Sequence, residues 1–154
     1  MRVTVWRHGE AGVASRDEDR PLTERGRTSL SAAIQEYQVL CEGVAPTLIH
    51  YSPLLRTAQT AAIIGQHFPD ATAEICDELA PGTELRDHRS FLTTDDVAHL
   101  LLVTHQPFVS ELIWYWLDDK TVPALAPGGF CIIDLQAPTC GGAILLHVVP
   151  DILG

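Results

Sequence analysis

Residues Val97-Ala98-His99-Leu100-Leu101-Leu102-Val103-Thr104-His105-Gln106-Pro107 decide the reading of this chain. Four consecutive large apolar residues, Leu100 to Val103, leave no polar face, as in a central parallel strand covered on both sides. The polar cluster Thr104-His105-Gln106 follows at once. From about Phe108 to Leu117, Phe108, Leu112, Ile113 and Trp116 recur at helical spacing. A buried strand that runs through a polar turn into a helix is half of a βαβ unit, and the rest of the chain repeats the pattern.

Working outward, Val3–Trp6 reads as a buried strand, followed by a polar loop from Glu10 to Pro21 with Arg16-Asp17-Glu18-Asp19-Arg20 at its centre. Thr23 is a predicted helix N-cap, with Glu24 in the first turn, where a carboxylate suits the helix dipole. Leu30, Ala33, Ile34, Tyr37 and Leu40 continue that helix, and Gly43 ends it. Thr47–Tyr51 is a second strand, Leu55–His67 a second helix that Pro69 stops, and Ala73–Cys76 a short third strand. A weaker helix is expected over Leu85–Leu92. Gly128-Gly129 introduces a strand at Phe130–Leu135, and Ala143–Val149 forms the last one. The Gly141-Gly142 turn makes these two antiparallel neighbours. The expected fold is a single α/β domain over residues 1–154: a three-layer sandwich with a mostly parallel central sheet, helices on both faces and an antiparallel strand at one side.

Composition narrows the function. Apolar residues make up 46% of the chain, enough for a real core, and the net charge of −10 argues against broad nucleic-acid binding. In so acidic a chain a local cluster of arginines is a specific feature. Cys41, Cys76, Cys131 and Cys140 form no C-x-x-C pair and read as reduced, mostly buried thiols. With no signal-like start and no apolar stretch of membrane-spanning length, the expected location is the cytoplasm, with no membrane partner.

Three polar motifs fall at predicted strand ends, where open α/β sheets bind ligands. They are Arg7-His8-Gly9-Glu10, Ser52-Pro53-Leu54-Leu55-Arg56 and Thr104-His105-Gln106-Pro107. Their shared chemistry is anion binding. Arg7 and Arg56 carry planar forks that match phosphate oxygens two at a time. His105, if protonated, would add charge. A neutral His8 is a competent nucleophile toward phosphorus, and nearby arginines favour its neutral form. Asp17, Glu18 and Asp19 lack regular metal-ligand spacing, so neither a metal nor another cofactor is expected.

These residues resemble the histidine phosphatase superfamily, also called phosphoglycerate mutase-like. Arg7-His8-Gly9-Glu10 matches its signature, and Pro21-Leu22-Thr23-Glu24-Arg25-Gly26 its first helix. Ser52 to Ala61 matches its second-arginine motif and Val103-Thr104-His105 its second-histidine motif. An Arg-His-Gly triplet alone arises by chance in on the order of one chain in a hundred of this length. All the motifs in order, at strand ends, are specific. The resemblance implies a phosphate pocket of Arg7, His8, Arg56 and His105, with His8 the phosphate-accepting nucleophile.

Within the superfamily the chain is similar to the small phosphohistidine phosphatases of the SixA type, through Arg20-Pro21-Leu22-Thr23, Glu78-Leu79-Ala80-Pro81 and Thr-His-Gln-Pro. The stretch between Pro81 and Val97 is too short for the helices that roof mutase-like sites. The implied substrate is phosphohistidine on a partner protein, such as a histidine-phosphotransfer domain. A small phosphorylated metabolite is the alternative, and a non-catalytic phosphate-binding module a third. Glu78 is the candidate general acid, with Asp77 and Glu84 also near its place. Arg20 either touches the substrate or pairs with Asp17 or Asp19.

Overall fold

The computed structural model describes residues 1–41, 43–82, 97–135 and 143–149, with the side chains of 143–149 left aside. Six strands form one sheet: β1 (Arg2–Arg7), β2 (Leu48–Tyr51), β3 (Thr72–Ile75), β4 (His99–Thr104), β5 (Phe130–Leu135) and β6 (Ala143–Val149). Their order is β3-β2-β4-β1-β5-β6. The first four run parallel, with β4 between β1 and β2, while β5 is antiparallel to β1 and to β6. The described residues also form three α-helices: α1 (Glu24–Leu40), α2 (Leu55–His67) and α3 (Phe108–Leu117).

The apolar run of β4 explains the layering. Leu101 and Val103 pack in one core with Leu30, Ile34 and Tyr37 of α1 and Ala61 and Ile64 of α2. Leu100 and Leu102, on the opposite face, pack with Phe108, Val109, Leu112, Ile113 and Trp116 of α3. Side chains alternate across a strand, so each half of the run needs its own helical layer. The predicted three-layer sandwich is therefore observed, with the antiparallel strand on the β5 side.

Local signals set the boundaries. The Thr23 hydroxyl accepts the Gly26 N–H at 2.9 Å and starts α1. Gly26 admits no side chain, because a Cβ there would collide with the Glu10 backbone. Helix α2 spans the predicted residues and gives way at Phe68, just before Pro69. Strand β3 lies one residue earlier than expected and is exposed along its length, as an edge strand. Arg16–Arg20, read as plain loop, contains a 3-10 turn at Asp17–Asp19. The expected helix over 85–92, Glu84, Cys140 and the 141–142 turn lie outside the described residues. Cys41, Cys76 and Cys131 are free thiols.

His99, without a motif in the sequence, is fully buried. Its Nδ1–H donates to the Val44 carbonyl at 2.7 Å, and Nε2 meets the Thr4 hydroxyl at 2.7 Å. Burial lowers its pKa to about 4. It is a satisfied structural histidine. No described helix is long and apolar enough to cross a membrane.

Candidate active site

The three motifs meet at the carboxyl ends of β1, β2 and β4. The parallel ladder continues past the strands: the His8 N–H donates to the Thr104 carbonyl at 3.1 Å, and the Ser52 N–H to that of Val103 at 3.2 Å. Next, the Gly9 N–H donates to the Thr60 hydroxyl at 3.1 Å, and that hydroxyl donates to the Arg56 carbonyl at 2.8 Å. This pair of bonds docks the β1 end onto the first turns of α2, the helix that carries Arg56. The His8 and His105 rings stand 5.2 Å apart.

His8 is mostly withdrawn from water. Desolvation lowers its pKa to about 4, and the charges of Arg56, Arg7 and Arg20 push the same way. Its Nδ1 lies 2.7 Å from the Gly9 carbonyl, which can only accept. The proton of the neutral ring therefore sits on Nδ1, and Nε2 carries a bare lone pair. At pH 7 such a neutral ring is chemically able to attack phosphorus without a base. In a proton-coupled NMR titration the His8 ring should protonate near pH 4 rather than the usual 6.5. The nucleophilic form, and activity with it, is lost as pH falls through that value and is intact above it.

His105 is buried at the end of β4. Its pKa falls to about 3, first through desolvation and then through His8 and Arg56. The sequence left the charge of His105 conditional on protonation, and burial beside Arg56 favours the neutral ring at neutral pH. Its Nε2 is 2.7 Å from the Ser52 hydroxyl.

The two arginines are anchored alike. Arg7 donates from Nη1 to the Leu125 carbonyl at 2.8 Å. Arg56, only 6% exposed, donates from Nη1 to the Asp17 carbonyl at 2.8 Å and from Nη2 to the Asp17 carboxylate at 3.1 Å. In both side chains the buried Nε–H has no acceptor among the described residues. The buried Nδ1 of His105 and the Gln106 amide nitrogen likewise have no partner among the described residues. Burying such polar atoms unpaired costs about 1–3 kcal/mol each. Two guanidiniums held at their tips, with edge donors unspent, suit the oxygens of a phosphoryl group.

Asp17 was legible only as a partner for Arg20. It does accept from Arg20 Nη1, at 3.2 Å, while Arg20 Nε donates to the Gly12 carbonyl at 2.8 Å. The same carboxylate also holds Arg56, and its pKa is lowered chiefly by that bond. The loop that delivers it is pinned at its base, where Ala11 bridges Leu22 and the Gly12 N–H donates to the Pro21 carbonyl at 2.7 Å. Arg20 thus stands near enough to bias His8 electrostatically but is tied back to its own loop. Glu78 is exposed, on the 3-10 turn Asp77–Leu79. That turn is fastened to the end of β4 by the Thr104 hydroxyl, which donates to the Leu79 carbonyl at 2.8 Å.

The comparisons agree with this architecture. The model of the histidine phosphatase superfamily (branch 1) matches residues 3–81. The phosphohistidine phosphatase SixA of Escherichia coli (strain K12) is 28% identical over 142 residues, covering 88% of this chain and 86% of that protein. An uncharacterized protein of Picosynechococcus sp. is 34% identical over 117 residues, covering 72% of this chain and 70% of its own length. The solved structure of the protein histidine phosphatase SixA complexed with tungstate superposes with a TM-score of 0.83 at 25% identity, covering 97% of both chains.

Proposed function

This chain belongs to the histidine phosphatase superfamily, and from that premise we propose that it hydrolyses phosphohistidine on a partner protein through a phosphoryl group carried on His8. The observation that carries the reading is the pairing of a neutral His8, its Nδ1–H fixed on the Gly9 carbonyl, with two arginines whose edge donors are unspent. The end-to-end likeness to the protein histidine phosphatase SixA supports a protein-borne substrate.

The route has two steps. The lone pair on His8 Nε2 attacks phosphorus, and the bond from phosphorus to the substrate imidazole breaks. Protonated on its other nitrogen, that imidazole departs neutral. The positive charge that develops on the His8 ring is stabilised by the Nδ1–H bond to Gly9. Arg7, Arg56 and His105 hold the equatorial oxygens. Water then attacks phosphorus, the bond to His8 breaks, and inorganic phosphate leaves with the lone pair restored on Nε2. An imidazole leaving group, whose conjugate acid has a pKa near 6.5, needs little help from an acid, whereas an alkoxide does.

That difference gives the test. Phosphohistidine on a phosphotransfer domain should be cleaved well above sugar, glycerate or serine phosphates. Glu78→Gln should leave the phosphohistidine rate within about threefold and depress any ester hydrolysis by about 10²-fold, the usual size of a general-acid contribution. A chain that prefers an ester and depends on Glu78 throughout is a small-molecule phosphatase instead.

A further inference from the structure

Sequence reading gives Ser52 no role beyond its place in a motif, yet its hydroxyl is buried and meets His105 Nε2 at 2.7 Å. Among the described residues its one other partner is the Leu54 N–H, which donates to Ser52 Oγ at 3.4 Å. Two ways of placing the protons can be counted. If His105 carries its proton on Nε2, the Ser52 hydroxyl accepts from both neighbours and its own hydrogen has nowhere to go. The Nδ1 lone pair is then also buried without a donor. If the proton is on Nδ1, Ser52 donates to Nε2 and accepts from Leu54, and a single donor, Nδ1–H, is left. Each unmade buried bond is costly, so the second arrangement, which leaves one unmade instead of two, wins.

We propose that Ser52 is a positioning residue that fixes His105 in the Nδ1–H tautomer and so makes a neutral histidine an obligatory donor to the phosphoryl group. The assignment rests on the phosphate-site reading only for the identity of what Nδ1–H meets. It gives the two histidines the same tautomer and opposite duties. His8 spends Nδ1–H on Gly9 and presents a lone pair, while His105 spends its lone pair on Ser52 and presents Nδ1–H. The opposite tautomer of His105 would turn a lone pair toward phosphate oxygens and repel them.

Long-range nitrogen–proton NMR on the histidine-labelled chain reads the tautomer without any substrate. For wild type, the expected spectrum has His105 Nδ1 protonated and Nε2 bare. Ser52→Ala should admit the Nε2–H form and weaken inorganic phosphate binding about tenfold, and Ser52→Thr, which keeps the hydroxyl, should restore both. A wild-type His105 protonated on Nε2 overturns the proposal, and so does a Ser52→Ala ring indistinguishable from wild type. The wild-type spectrum decides even if the alanine variant folds poorly. A correct tautomer in a chain that ignores phosphohistidine would instead remove the substrate reading and leave Ser52's role standing.

Discussion

Replacing His8 with alanine is expected to abolish hydrolysis of phosphohistidine, with a loss of about 10⁴-fold or more, the scale seen when a covalent nucleophile is removed. Nothing else in the pocket can take its place. His105 spends its lone pair on Ser52, and Arg7 and Arg56 are permanent cations. The fold should tolerate the change, because the bonds that dock this segment are made by the backbone: His8 N–H to Thr104, Gly9 N–H to Thr60 and Gly128 N–H to the His8 carbonyl. Incubation with a radiolabelled phosphotransfer domain measures it. Wild type should release inorganic phosphate and, on rapid quenching, carry an acid-labile, alkali-stable label, whereas His8→Ala should do neither. Label leaving the domain equally fast with the variant would end the covalent route.

The sheet was legible because its signals are local. Leu100 to Val103 require two covering layers, and α1 and α3 supply them with the residues their periodicity nominates. The threonine cap and the proline stop are local too. Arg7, His8, Arg56 and His105 could be gathered because the motifs that carry them lie at the ends of β1, β2 and β4, and strand ends of a parallel sheet share one edge. The partners of these residues were not legible. Asp17 reaches Arg56 across 39 positions, and Ser52 reaches His105 across 53. An acidic turn between two arginines reads equally well as a solvated surface, and Arg20 does pair with Asp17 there. The protonation of His105 could be written only as a condition for a related reason. Burial, then His8 and Arg56, disfavour the cation, and burial, the largest of these, is a property of the packed molecule. Glu78 is a third case: it is exposed on a turn that the Thr104 hydroxyl fastens to the end of β4 through the Leu79 carbonyl, a link no local signal announces.

Arg56→Lys should be nearly as damaging as Arg56→Ala, about 10³-fold in kcat, and this outcome separates a geometric role from a merely electrostatic one. Arg56 is buried with both terminal nitrogens on Asp17, one on its carbonyl and one on its carboxylate. That double attachment fixes the guanidinium plane and leaves the Nε–H edge without an acceptor among the described residues. A fork held in this way can follow the phosphoryl oxygens as they flatten toward the transition state, and arginines in that role are worth about 10³–10⁵ in rate. Lysine brings the same charge on a shorter, rotatable ammonium. Facing Asp17 it has an acidic partner ready to draw it away from the phosphate, so the charge is retained but misplaced. Alanine removes the charge and leaves the Asp17 carboxylate facing an anionic substrate, which should raise KM as well. The expected pattern is a large kcat loss for both variants and a larger KM increase for alanine than for lysine. A lysine variant within about tenfold of wild type would mean that a point charge suffices, and that the anchoring by Asp17 is a feature of the unliganded surface alone.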